Sequence, residues 1–261
     1  MSATRSPLVV GNWKMNPDAL LAARQLATGV QEATAGIAAR TVVCPPAIWL
    51  GVVAAAVGGS STEHGRLGIG AQTMRAEERG AFTGETSPLM LAGVADYVII
   101  GHSERRQYDN ETDAGVAAKV ASAVAHGLVP IAAIGERAEE RRAGLAANVI
   151  ERQLRAAISR LPRIAGSGLV VAYEPVWAIG TGEAATAEDV QAAAAQIRAI
   201  LAESDPVGAE EVAILYGGSC TPLNATEFFA EPDVDGALVG GASLDPASFA
   251  AIARAAATAR G

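Results

Sequence analysis

Residues Tyr97–Arg106 read YVIIGHSERR: a continuous apolar run that stops at a glycine and turns at once to histidine, serine, glutamate and two arginines. A short uninterrupted run, rather than an alternating one, is what a parallel strand covered on both faces requires. Seven more runs of this kind flank it, at Leu8–Val10, Thr41–Val43, Leu67–Ile69, Val129–Ile134, Leu169–Ala172, Ala213–Leu215 and Ala237–Val239. Their starts lie roughly 24 to 44 residues apart, room for one strand-and-helix unit each. The intervening stretches Asp18–Ala35, Asp113–His126, Ala138–Arg160 and Glu188–Glu203 are rich in Ala, Leu and Arg. Asn16-Pro17, Thr221-Pro222 and Asp245-Pro246 each set a capping residue before a proline, whose missing N–H would have no partner in a first helical turn. Thr186–Asp189 has the form of a capping box. Eight strands, each followed by a helix, predict a closed (β/α)8 barrel; the count of eight disfavours an open doubly wound sheet. With no linker, low-complexity segment or composition break, residues 1–261 are expected to form a single domain.

Composition narrows the function. The chain carries 28 acidic and 20 basic side chains, a formal charge of −8, and half of its residues are hydrophobic, which excludes intrinsic disorder. An acidic chain without a basic block argues against nucleic acid, because phosphate-backbone binding needs clustered Lys and Arg. No apolar run approaches the roughly 18 residues of a membrane span. Leu8–Val10 is far short of a signal-peptide core, so a cytoplasmic location is expected. Cys44 and Cys220 cannot build a disulfide framework, and no Cys/His cluster has zinc spacing, so no metal is expected.

Active sites of parallel barrels form at the C-terminal ends of the strands. The residues just past each run are Asn12 and Lys14, then Gln72, then His102, Ser103 and Glu104, then Gly135 and Glu136, then Glu174, then Gly217, Gly218 and Ser219, then Gly240 and Gly241. Charge, imidazole and glycine gather at one end. Lys14 is one of two lysines, with Lys119, against 18 arginines, which suggests that a compact point charge is wanted there. His64 and His126 lie before strand starts and are given no chemistry. Pro175 biases Glu174 toward extended geometry, and the apolar, glycine-punctuated Val176–Gly182 that follows has the character of a closing lid. The glycine pairs after strands seven and eight let backbone N–H groups approach an anion. With Lys14, they could hold a dianion inside an acidic protein.

Six motifs in order, Asn12-Trp13-Lys14, GAFTGE at Gly80–Glu85, GHSERR at Gly101–Arg106, YEPVWAIGTG at Tyr173–Gly182, YGGS at Tyr216–Ser219 and LVGGASL at Leu238–Leu244, resemble the triosephosphate isomerases over nearly the whole chain. That resemblance implies a TIM barrel without cofactor that isomerises a triose phosphate, a reaction of glycolysis and gluconeogenesis. It implies Glu174 as the base moving a proton between C1 and C2, and His102 as the neutral electrophile at the carbonyl. It implies Lys14 and Asn12 as stabilisers of the enediolate and phosphate charge. Gly180, Ser219, Gly240 and Gly241 would offer N–H groups to the phosphate, and Ser103 and Glu104 would support the reacting groups from behind. A homodimer is also implied, with Gln72–Glu85 inserting into the partner and Thr83 approaching the partner's site.

Three positions depart from the family pattern. Ala133 stands where cysteine is usual, Thr73 where asparagine is common, and Asp109-Asn110 where an aromatic–glycine pair is usual. Two rivals stay open. One keeps the mechanism but takes a four-carbon ketose phosphate; the other is a barrel that only binds, which predicts damage to Lys14, His102 or Glu174, and all three are intact.

Overall fold

The computed structural model describes residues 5–63, 65–179 and 185–260. Eight parallel strands, β1 (Leu8–Asn12), β2 (Arg40–Cys44), β3 (Leu67–Ala71), β4 (Tyr97–Ile100), β5 (Val129–Ile134), β6 (Val170–Tyr173), β7 (Ala213–Tyr216) and β8 (Gly236–Val239), pair in sequence order. The barrel closes where β1 meets β8, with Val9 opposite Ala237 and Gly11 opposite Val239. This closure excludes the open doubly wound alternative. The fold is the (β/α)8 barrel that the eight runs predict.

Strand parity separates two cores. Leu8 and Val10, Tyr97 and Ile99, Ile131 and Ala133, Val170 and Ala172, Ala213 and Leu215, and Leu238 fill the barrel. Alternate residues such as Val9, Val98, Ile100, Val171 and Ile214 face the helices, in the larger cluster. Burying each such Val, Leu or Ile contributes about 1.5–3 kcal/mol, which is why short, almost wholly apolar strands suffice. Tyr97 is the largest side chain inside the barrel, and Gly68 and Gly70 on the neighbouring strand leave it the room.

The helices follow the strands, with some corrections. Among them are α1 (Leu20–Thr34), α2 (Leu50–Val57), α3 (Pro88–Leu91), α4 (Ser103–Tyr108) and α5 (Asp113–Ala125). The expected Ala138–Arg160 helix is two, α6 (Ala138–Arg142) and α7 (Ala146–Ile158), because Gly144 turns left-handed at φ 71° between them. Beyond these run α8 (Ala187–Ser204), α9 (Pro206–Glu211), α10 (Ala225–Phe229) and α11 (Pro246–Arg260).

Of the three cap–proline pairs, Asp245-Pro246 starts α11, with the Asp245 carboxylate accepting from the Ser248 N–H. Asn16 instead donates its side-chain amide to the Trp13 carbonyl, and α1 begins at Leu20. Thr221 opens a turn that leads to α10 four residues later. The Thr186 capping box forms as expected, with reciprocal bonds to Asp189.

Candidate active site

The inward parity that packs the barrel continues one step past its end, where it presents polar or minimal side chains. Asn12 follows Leu8 and Val10, Glu174 follows Val170 and Ala172, and Gly217 follows Ala213 and Leu215. A side chain at Gly217 would come within 2.8 Å of the Glu174 Cγ, so glycine leaves the space the glutamate occupies. On β4 the chain turns at Gly101 with φ 78°, and His102 becomes the N-cap of α4.

Glu174 and His102 meet at the barrel mouth. Glu174 Oε1 lies 3.0 Å from His102 Nε2, and Glu174 Oε2 accepts the Ser103 N–H at 2.8 Å. Both residues are buried, at 2% and 6% exposure. His102 Nδ1 accepts the backbone N–H of Glu104 at 3.2 Å, so in the neutral ring the proton sits on Nε2, which donates to Glu174. Burial opposes the Glu174 charge, but the imidazole and the Ser103 N–H together outweigh it and hold the carboxyl below its ordinary range. Burial likewise opposes charge on the ring, and the Glu174 carboxylate overcomes it, raising the affinity of His102 for a proton.

Lys14 sits across from them in a left-handed conformation, φ 52°, uncommon for a residue with a Cβ. Two side chains hold its backbone there: Asn12 Oδ1 accepts the Lys14 N–H at 3.0 Å, and Gln72 Nε2 donates to the Lys14 carbonyl at 2.8 Å. The same Gln72 amide reaches the Cys44 carbonyl at 2.8 Å. Lys14 Nζ makes an ion pair with Glu104, whose other oxygen lies 3.8 Å from His102 Nδ1.

Asn12, Lys14, His102 and Glu174 line one cavity of about 350 Å³. Gly217, Gly218, Ser219, Gly240 and Gly241 line the same cavity, together with Ile179. A 3₁₀ turn, Gly241–Leu244, begins directly after Gly240, whereas the Gly217-Gly218 pair leads into a loop. Gly180 and the end of the expected lid fall outside the described residues, as does His64. The described start of that segment is a 3₁₀ turn, Val176–Ala178. It is fastened by Glu136, fully buried, whose Oε1 accepts from Trp177 Nε1 at 2.7 Å and from the Tyr173 hydroxyl at 3.1 Å. Arg141 lies over the Trp177 ring at 4.1 Å and bonds to Asp189 at 2.9 Å. Sequence reading noted Gln72 and Glu136 only as strand-end residues; their holding roles depend on which loops meet, which spacing does not reveal.

Thr83 is exposed in the protruding loop after β3, where residues 77–85 are all exposed. Arg75 lies over the Phe82 ring at 4.1 Å, and Met74 anchors the loop base in the core. Among the described residues, no three His, Cys, Asp or Glu side chains gather as a metal site, and no helix is long and apolar enough to cross a membrane.

The arrangement thus joins a buried carboxylate, an imidazole and an ammonium group to a glycine-rich wall. The family profile described as triosephosphate isomerase matches residues 7–256. The triosephosphate isomerase of Vibrio vulnificus strain YJ016 is 47% identical over 255 residues, covering 97% of this chain and 98% of that protein. Those of Symbiobacterium thermophilum, at 48% over 258 residues (98% and 99% covered), and Chloroflexus aurantiacus, at 50% over 252 (94% and 97%), are similar along their length. Full-length likeness at that identity, on a closed barrel with these side chains at its mouth, leaves one assignment: the chain belongs to the triosephosphate isomerase family.

Proposed function

We propose that this chain interconverts dihydroxyacetone phosphate and D-glyceraldehyde 3-phosphate by proton transfer through an enediolate, as a cytoplasmic enzyme of glycolysis and gluconeogenesis. The observation that carries the reading is the 3.0 Å approach of Glu174 to His102 on the cavity that Lys14 shares. Glu174 takes the proton next to the carbonyl, general-base work that contributes roughly 10²–10⁴-fold. His102 polarises the carbonyl through its Nε2–H and moves protons between the two oxygens. Lys14 and Asn12 stabilise the developing enediolate charge, with donors already in place before reaction. Gly180, Ser219, Gly240 and Gly241 hold the phosphate through backbone N–H groups, which overcomes the repulsion from a chain of net charge −8. Ser103 fixes the resting carboxylate, and Glu104 orients Lys14 and the ring. Closure of Val176–Gly182 excludes water, which protects the enediol phosphate from elimination. None of these steps calls for a metal or organic cofactor.

The chain works as a single-domain barrel paired in a homodimer. A second cavity of about 740 Å³ supports this: Met15 and Tyr108, both strongly exposed, line it together with Lys14, His102 and Glu104. The partner's Gln72–Glu85 loop enters it, which brings Thr83 to the site. Purified protein assayed with glyceraldehyde 3-phosphate and with a four-carbon ketose phosphate tests the function. Higher kcat/KM on the triose is expected; a clear preference for the tetrulose would overturn the substrate.

A further inference from the structure

Gln153 occupies a position its helix would ordinarily give to an apolar residue. The buried side of α7 is formed by Val149, Ile150, Leu154 and Ala157, and Gln153 lies among them at 5% exposure. A buried amide is costly unless both of its ends are bonded. Here both ends go to one residue: Oε1 accepts the Gly135 N–H at 2.8 Å, and Nε2 donates to the Gly135 carbonyl at 3.3 Å. The side chain thus pairs with the backbone as a neighbouring strand would, just where β5 ends.

What Gly135 supports is Glu174. A Cβ at Gly135 would overlap the Glu174 carbonyl, so the two backbones are in direct contact. The Glu174 N–H donates to Ile134 at 2.7 Å and the Val176 N–H to Glu136 at 3.1 Å. Residues 134–136 are therefore the bed on which 174–176 lie. A cavity of about 420 Å³ opens beside Gly135, Gln153 and Glu174, so this bed is not backed by solid packing on that side.

We propose that Gln153 is a positioning residue for Glu174: its paired bonds to Gly135 set the height of the backbone beneath the carboxylate and so the carboxylate's approach to the substrate. The inference rests on Glu174 being the proton-transferring base. A misplacement of about 1 Å at such a group can cost roughly 10²-fold in rate.

Q153M, close in shape, removes both bonds. We expect kcat to fall by at least about tenfold with KM for glyceraldehyde 3-phosphate within about twofold, in protein whose dichroism matches the parent. A lowered Tm with unchanged kcat would overturn the proposal. D205A is the structural comparison, since Asp205 clamps the N–H groups of Ile164, Ala165 and Gly208 at the opposite end of the barrel. It should lower Tm and leave kcat within about twofold of the parent. If Q153M does not accumulate as folded protein, Q153E decides the matter. Its carboxylate accepts from the Gly135 N–H but donates to the Gly135 carbonyl only when protonated. Its kcat relative to the parent should rise severalfold as pH falls from about 8 to about 5.5, and a flat ratio overturns the proposal. A parent without triose phosphate turnover would instead count against the function itself, because the Gln153 test reads only ratios to the parent.

Discussion

Glu174 Oε1 and His102 Nε2 stand 3.0 Å apart, and each sets the proton affinity of the other. Burial alone would push the Glu174 carboxyl up; the ring and the Ser103 N–H reverse that and keep it below the ordinary carboxylate range. The carboxylate therefore stays charged as pH falls past the point where a free glutamate would take a proton. In H102Q the burial penalty loses its main opponent, so the acid limb of kcat/KM should move to higher pH than in the parent. Measuring both proteins on the same substrate cancels the substrate's own ionisation. A limb that stays put or moves to lower pH would show that the ring does not control the carboxylate.

The same pair fixes a stability window. Because the folded Glu174 value is depressed, its contribution is present above the unfolded carboxylate value and is lost as pH falls through the folded one. The raised His102 value contributes below the unfolded imidazole value and is lost as pH rises through the folded one. E174Q removes both effects, so its denaturant midpoint should vary less with pH across that range. Its kcat should fall at least about 10²-fold, because an amide cannot take up the proton. Turnover that survives E174Q would refute the mechanism.

Strand positions and the polar strand ends were legible because both follow from one rule, apolar residues along the barrel and chemistry at its exit. Helix boundaries were less so. Asn16-Pro17 looks like a cap, but tertiary contact takes the Asn16 side chain to Trp13. Asn110 replaces the family's glycine and yet adopts φ 54°, a conformation asparagine tolerates better than most residues. Gln72, Glu136 and Gln153 act on loops distant in sequence. A polar residue inside the apolar face of α7 was the one local trace of Gln153.

Lys14 holds an uncommon backbone conformation that Asn12 and Gln72 fix from either side. Its ammonium group is a point charge, and the planar guanidinium of arginine does not replace it. K14M should raise KM for glyceraldehyde 3-phosphate and lower kcat, with kcat/KM down by at least about 10²-fold, and K14R should recover only part of this. Full recovery in K14R would mean that charge alone matters there. Q72A, which frees the Lys14 carbonyl, should give a milder loss in the same direction.

If the loop after β3 fills a partner's cavity, a charge at its tip should prevent the fit. F82D places a carboxylate where Phe82 now covers Arg75 and meets solvent at 38% exposure. We expect sedimentation velocity to show a shift toward monomer and specific activity to fall with dilution. A variant that remains a dimer with parental activity would put the interface elsewhere.

Lys119, the second of the two lysines, is not at the cavity but is largely shielded from solvent. Its ammonium group pairs with Glu111 and reaches Thr73 Oγ1 at 3.3 Å, while Glu111 accepts the Gly101 N–H at 2.9 Å. The side chains are only 13% and 4% exposed, so the pair joins the base of the protruding loop to the residue preceding His102 with little solvent screening. Removing one partner leaves a shielded charge without its counter-charge, which costs more than removing both. K119M should therefore lower the denaturant midpoint more than the double variant E111Q/K119M does. Additive losses in the two single variants would mean that the two groups stabilise the fold independently.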